Sequence, residues 1–117
     1  SMSRHLTCAA VLLGVAAAVV SCGRGPIESK LDLSPAAARG RDLFLNKSTP
    51  RCSTCHMLRD AGAGKMIGPN LDTHPLDHAK VLRALKQGVG AMPTQSGILS
   101  DQEMSDIATY VVEAAGK

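Results

Sequence analysis

The chain has 117 residues, a formal net charge of +3 and only two aromatic side chains, Phe44 and Tyr110, with no Trp. This length suits one small domain, and the scattered basic residues exclude the basic stripe interleaved with aromatics that is typical of nucleic-acid binding. Because so few large side chains are available to fill a core, the composition favours a bulky apolar prosthetic group.

The first 21 residues have the pattern of an export signal. Arg4 and His5 precede an uncharged run at 8–20, "CAAVLLGVAAAVV". As a helix this run would reach about 20 Å, short of the roughly 30 Å hydrocarbon core, so a secretory signal is expected at 1–21. The run ends in Val-Val-Ser before Cys22, which resembles a bacterial lipobox and predicts lipidation of Cys22. An uncleaved anchor helix and ordinary cleavage after Ala18 are the open alternatives.

A linker and a first helix follow. Residues 22–33 are predicted to be a flexible linker, and residues 34–117 the folded domain. Ser34 and Pro35 are a capping hydroxyl and a first-turn proline, so a helix is expected from there to about Lys47. Gly40 lies inside this helix, where it is unfavourable by about 1 kcal/mol relative to alanine, which indicates that another backbone passes close by.

Two more helices are predicted further along the chain. Residues 77–88 carry an apolar face and end at Gly88. Residues 101–115 begin at a capping box formed by Ser100 and Glu103, with Tyr110 expected on the flank of the apolar stripe. Residues 57–76 and 89–99 read as loops, and no segment alternates at period two, so no sheet is expected. An all-α domain with two long loops makes sense if the loops wrap a ligand.

The pentapeptide "CSTCH" at 52–56 allows three interpretations. A zinc site with His74 and His78 as the further ligands is weak, because the second pair of a zinc site is otherwise missing. A thioredoxin-like redox motif should lie beside a βαβ unit, and none is visible. The third interpretation is covalent haem, with thioethers at Cys52 and Cys55 and an axial nitrogen from His56. The export signal favours it, since unoccupied thiols oxidise outside the cytoplasm.

The chain resembles the class I cytochromes c, of the small bacterial monohaem kind that includes cytochromes c6 and c-553. The resemblance covers residues 35–116 and depends on Gly40 with Phe44, then "CSTCH", "GPNL" at 68–71, "MP" at 92–93, and Ile107 with Tyr110 on the last helix. It implies the cytochrome c fold, with three main helices and long loops around one covalent haem c. It also implies that the first and last helices cross near Gly40, and that the carbonyl of Pro69 accepts a hydrogen bond from His56.

One axial position remains after His56. Met92 is favoured because it lies in a Gly-Val-Gly-Ala-Met-Pro segment, where glycines permit close approach and proline fixes the chain after the sulfur. A thioether ligand raises the reduction potential. The less favoured candidates are Met57, Met66, Met104, His74 and His78.

An iron with two protein ligands has no open position for oxygen or peroxide chemistry. The expected function is therefore one-electron transfer by a non-enzymatic monomer between membrane-associated redox complexes, respiratory or photosynthetic. The expected location is the periplasm or the outer face of the cytoplasmic membrane, held there by the lipid at Cys22. The alternatives are a fixed haem c subunit of a larger oxidoreductase and a haem-based gas sensor.

Overall fold

A computed structural model describes residues 28–117. Helix α1 spans Pro35–Asp42 and continues as a π-helical turn at Leu43–Lys47, α2 spans His78–Gln87, and α3 spans Asp101–Ala114. The three predicted helices are confirmed, and the described residues are mainly helical. The predicted signal at 1–21 and Cys22 lie outside the described residues. Within 28–117, none of the helices has the length and hydropathy that a membrane span requires.

The helix starts follow the capping residues of the sequence. The Ser34 hydroxyl accepts the Ala37 N–H at 3.2 Å. Asp77 does the same for Lys80 at 2.7 Å. At α3, Ser100 and Glu103 form the complete capping box. Each cap satisfies backbone donors that the first turn leaves unpaired, so local sequence alone positions these three ends.

Helices α1 and α3 cross at Gly40. A Cβ placed on this glycine would lie 2.0 Å from the carbonyl oxygen of Asp106, so only glycine fits there. One turn further along, the rings of Phe44 and Tyr110 meet edge to face, with centroids 5.6 Å apart. Tyr110, expected on the flank of the apolar stripe of α3, is fully buried at this crossing.

A buried polar cluster lies beside the aromatic pair. The Tyr110 hydroxyl donates to Asp60 Oδ2 at 2.8 Å, and Arg41 Nε donates to the same oxygen at 3.1 Å. Burial alone would raise the pKa of Asp60, but hydrogen bonds from Ser29, Tyr110 and Arg41 outweigh it and hold that pKa below its usual value. Burial and the neighbouring carboxylate raise the pKa of Tyr110. The cluster joins α1, α3 and the loop after the Cys-Cys-His segment.

The prediction that the chain forms no sheet is wrong in detail. Strands β1, Met57–Leu58, and β2, Ala63–Gly64, pair antiparallel, with Met57 opposite Gly64 and Leu58 opposite Ala63. Strands of two residues are too short to show an alternating pattern in the sequence. The hairpin matters for the core, because it buries Leu58 completely.

Residues 28–33, the last part of the predicted linker, contact the folded domain. Ser29 donates its hydroxyl hydrogen to Asp60, and Leu31 and Leu33 pack against the core. Residues 28–33 therefore pack on the folded domain through two partly buried leucines and a partly buried hydrogen bond. The rest of the predicted linker, 22–27, lies outside the described residues.

Candidate functional site

A cavity of about 670 Å³ lies between α2, α3 and the loops at 50–56, 67–71 and 88–95. Its wall is mainly aliphatic, with Phe44 as the one aromatic side chain among the lining residues of the described chain. The residues with sulfur or imidazole groups in this wall are Cys52, Cys55, His56, His74 and Met92.

The two cysteines reach the cavity from a single tight turn. Cys52–Thr54 form a 3₁₀ turn, and the carbonyl of Cys52 accepts the N–H of Cys55 at 3.2 Å and of His56 at 3.0 Å. Ser48 holds the start of this turn, because its hydroxyl accepts the Cys52 N–H at 3.1 Å. Both thiols are free, and burial raises the pKa of the Cys52 thiol. Three reactive side chains thus face one cavity within five residues of sequence.

The imidazole of His56 is held by the segment that follows the hairpin. Its Nδ1 lies 2.8 Å from the carbonyl oxygen of Pro69. A carbonyl oxygen has no proton to give, so Nδ1 is the donor and carries the hydrogen. The other ring nitrogen, Nε2, is then left with a free lone pair, which is the state that binds a metal ion.

Gly68 lies against the flat face of the same ring. A Cβ on this residue would be 2.6 Å from Cε1 and 2.9 Å from Nδ1 of His56. The Gly68 N–H also donates to the carbonyl of Cys55 at 2.8 Å, which ties this loop to the cysteine turn. The ring of His56 is therefore fixed by a hydrogen bond at its edge and by glycine backbone against its face.

Met92 enters the cavity from a turn in the 88–95 loop. Val89 and Met92 exchange backbone hydrogen bonds of 3.0 and 2.9 Å. Gly88 begins the turn with φ of +72°, and a Cβ there would lie 2.9 Å from the carbonyl oxygen of Met92. The positive φ and the close contact both require glycine at this position. Met92 is partly buried and packs against the core.

The structure separates the other candidate ligands. His74 lines the cavity. His78 instead contacts Ser105, with Nε2 3.2 Å from the Ser105 carbonyl oxygen. Met104 is buried in the core, Met66 is 63% exposed, and neither they nor Met57 line the cavity. Among residues 28–117 there is no group of three or more His, Cys, Asp and Glu side chains that could hold a metal ion.

Two contacts of the site were not predicted from the sequence. They are the hydrogen bond from the Cys52 N–H to Ser48 and the close approach of Gly68 to the His56 ring. A serine four residues before Cys52 and a glycine before Pro69 are weak signals, because such residues are common in any turn. Their contacts to the site depend on how the loops fold back.

Comparisons with known proteins agree on one family. Residues 35–111 match the family model described as "Cytochrome C oxidase, cbb3-type, subunit III". The chain is 28% identical over 74 residues to "Cytochrome c-551" of Halorhodospira halochloris, covering 62% of this chain and 94% of that protein. It is 29% identical over 100 residues to "Cytochrome c6" of Thermosynechococcus vestitus, covering 74% and 82% respectively.

A solved structure is also similar. The crystal structure of the c-type cytochrome SorU from Sinorhizobium meliloti matches with a TM-score of 0.68 and 44% sequence identity. The match covers 70% of this chain and 93% of that one. Identity at this level extends the likeness beyond the fold alone.

The cavity fits a covalent haem. Its volume lies in the range of cofactor pockets, and its mainly aliphatic wall suits a flat apolar macrocycle. Two free thiols at the Cys-x-x-Cys spacing line it next to an imidazole whose Nε2 is available. The donor set and the shape of the cavity therefore agree with the group that the relatives' family carries.

Proposed function

Because this chain belongs to the class I c-type cytochromes, within the family described as "Cytochrome C oxidase, cbb3-type, subunit III", we propose that it transfers single electrons between redox proteins through its one covalent haem c. The proposal depends on one observation: His56 and Met92 line the same cavity from two separate loops. Two such side chains can fill both axial positions of one iron, and electron transfer needs no open position.

Each residue at the cavity has a distinct part in this proposal. Cys52 and Cys55 would hold the haem, because their S–H groups could add to its two vinyl groups and form two thioethers without a leaving group. His56 would bind iron through Nε2, and the hydrogen bond from Nδ1 to Pro69 would increase the electron donation of the ring. Met92 would supply a neutral thioether, which favours ferrous iron relative to a second imidazole. When bound, the haem supplies a one-electron couple.

Substitution of Met92 tests the ligand assignment. The oxidised protein should show the far-red band of sulfur-to-iron charge transfer, and Met92→Ala should abolish it. Met104→Leu is the matched control, because Met104 is buried in the core and does not line the cavity. If the band survives in Met92→Ala, or disappears in His74→Ala instead, the assignment is wrong.

The coarser proposal of electron transfer has its own test. Protein matured in an export-competent host should give a pyridine haemochrome spectrum with one haem c per chain. The reduced protein should bind no carbon monoxide at neutral pH, since both axial positions are filled. Rapid carbon monoxide binding would favour a gas sensor and would contradict the carrier proposal.

A second candidate is a fixed haem c subunit of a terminal oxidase. The name of the matching family model favours it, since that name is of an oxidase subunit. Purification from membranes separates the two functions. A free carrier should elute alone, whereas a fixed subunit should remain with an oxidase through detergent extraction.

We also propose export and lipid attachment at Cys22. The basic start, the short apolar run at 8–20 and the lipobox-like residues before Cys22 support this, as does the need to attach haem c outside the cytoplasm. A lipid would hold the carrier near its membrane-associated partners and raise its local concentration. Intact mass of the membrane-extracted protein is the test, and an unmodified Cys22 would contradict the proposal.

A further inference from the structure

Gln95 is a buried polar side chain in the wall of the cavity. It is 3% exposed and lies three residues after Met92. Its carboxamide oxygen accepts the Thr49 N–H at 3.0 Å, and its carboxamide nitrogen donates to the Thr49 carbonyl oxygen at 2.9 Å. Because a backbone N–H can only donate and a carbonyl can only accept, a single orientation of the amide forms both bonds. We call this pair of bonds the Gln95–Thr49 bridge.

The bridge joins the 88–95 loop to the segment that carries the cysteine turn. Its two partners are 46 residues apart in the chain. Thr49 follows Ser48, whose hydroxyl accepts the Cys52 N–H at 3.1 Å. In the part of the chain that the structure describes, no other hydrogen bond connects the 88–95 loop with residues 48–56. One side chain therefore makes the polar connection between the two loops that supply the proposed axial ligands.

The residues on either side of Gln95 attach the same loop to the end of α2. The hydroxyls of Thr94 and Ser96 both donate to the Lys86 carbonyl, at 2.6 and 2.9 Å. The Gln95 N–H donates to the Leu85 carbonyl at 2.7 Å. These bonds satisfy carbonyls that the last turn of a helix leaves without helical partners. The end of α2 and the 88–95 loop thus form one unit, and the Gln95–Thr49 bridge holds this unit against the cysteine turn.

We propose that Gln95 is a positioning residue for Met92, and that the Gln95–Thr49 bridge keeps the 88–95 loop closed so that other ligands do not reach the iron. This inference rests on the proposed ligation of the iron by His56 and Met92. Buried hydrogen bonds are costly to break, and both bonds of the bridge must break before the loop moves away from Thr49. The bridge therefore slows the departure of the Met92 sulfur and acts on it only through the loop.

Added imidazole tests the bridge in the full ferric holoprotein. Imidazole takes the place of the Met92 sulfur without any change of oxidation state, and the far-red band disappears as it binds. At high imidazole concentration the observed rate no longer depends on concentration and equals the rate at which the sulfur leaves the iron. Gln95→Leu has a side chain of similar size without hydrogen-bonding groups, so it should increase this limiting rate about tenfold in stopped-flow measurements. The Thr49 amide should also exchange its hydrogen faster, because it loses its acceptor.

Tyr110→Phe is the matched control. It also removes a partly buried hydrogen bond, from the Tyr110 hydroxyl to Asp60, but Tyr110 does not line the cavity. Both variants should lower the free energy of unfolding, whereas only Gln95→Leu should accelerate the binding of imidazole. Gln95→Asn is the second variant if Gln95→Leu does not retain haem. Its amide is shorter by one methylene and cannot reach both groups of Thr49, so its limiting rate should lie between those of wild type and Gln95→Leu.

Two outcomes would overturn the role of Gln95 and leave the ligation by Met92 intact. One is a wild-type limiting rate in both Gln95 variants, which would mean that the bridge only stabilises the fold. The other is an equal acceleration in Tyr110→Phe, which would mean that any loss of stability opens the loop. A wild-type protein without the far-red band would refute the ligand assignment and this proposal with it. The carrier function is decided separately, by the carbon monoxide test.

Discussion

Gly68→Ala is expected to alter the electronic state of the iron without removing any ligand. The added methyl carbon would lie 2.6 Å from His56 Cε1 and 2.9 Å from Nδ1. Ordinary contacts between such atoms are about 3.5 Å or more, so the ring or the loop must move by roughly 1 Å. Because Nδ1 lies only 2.8 Å from the Pro69 carbonyl oxygen, a movement of this size lengthens the hydrogen bond beyond its useful range.

The expected change in reduction potential follows from the energy of that hydrogen bond. A carbonyl acceptor at Nδ1 makes the ring a better donor and stabilises ferric iron, so its loss should raise the reduction potential. A differential interaction of about 1 kcal/mol corresponds to roughly 40 mV for a one-electron couple. We expect Gly68→Ala to shift the potential upward by about this amount, measured by spectroelectrochemical titration at neutral pH.

Gly64→Ala is the control for the potential. A Cβ on Gly64 meets no atom within 4 Å, so this variant should keep the wild-type potential. In NMR spectra of the ferric protein, the resonances of the His56 imidazole should shift in Gly68→Ala but not in Gly64→Ala. An unchanged or lowered potential in Gly68→Ala would refute the argument that glycine backbone fixes the ring of His56.

Three further predictions concern the stability of the domain. Gly40→Ala should lower the free energy of unfolding by about 3 kcal/mol in chemical denaturation, because a Cβ 2.0 Å from the Asp106 carbonyl forces α1 and α3 apart; stability equal to wild type would contradict the crossing. In wild type, the ionised Asp60 side chain contributes stability above about pH 4, and this contribution is lost as pH falls through the lowered pKa of Asp60 in the folded state. Asp60→Asn lacks this contribution, so its free energy of unfolding should depend less on pH in the acid range than that of wild type. Parallel plots of unfolding free energy against pH for the two proteins would contradict this. Ser29→Ala should release residues 28–33 and increase their proteolysis while leaving the haem spectrum unchanged; unaltered proteolysis would contradict the docking of this segment.

The sequence predicted the helices well because their signals are local. Ser34 with Pro35 and Ser100 with Glu103 specify helix starts through contacts within one turn. The close helix crossing at Gly40 could be predicted for a similar reason, since a glycine in a helix interior has few explanations other than close packing. The pentapeptide at 52–56 likewise indicates covalent haem attachment through residues that are adjacent in the sequence.

The contacts that the sequence did not predict are mainly between distant segments. The Tyr110 hydroxyl donates to Asp60, 50 residues earlier in the chain. Ser29 donates to the same carboxylate from the first described residues. The β1–β2 hairpin has two residues per strand, so it leaves no periodic pattern to read. Local sequence propensities cannot predict these contacts. Asp60 lies in a loop rich in small and charged residues, so nothing in the neighbouring sequence indicates that it binds side chains of the core.

The distribution of large side chains explains how the fold and the cofactor depend on each other. Tyr110 and Phe44 fill the crossing of α1 and α3, where the buried polar cluster adds further contacts. Helix α2 differs, because Val81, Ala84 and Leu85 on its apolar face line the cavity. A haem in this cavity would therefore be a packing partner of α2 and of the Met92 loop. It follows that α1 and α3 should stay protected from amide exchange longest in denaturant, while α2 and the Met92 loop open together. The proposed bond from the Met92 sulfur to the iron should be lost in that same step.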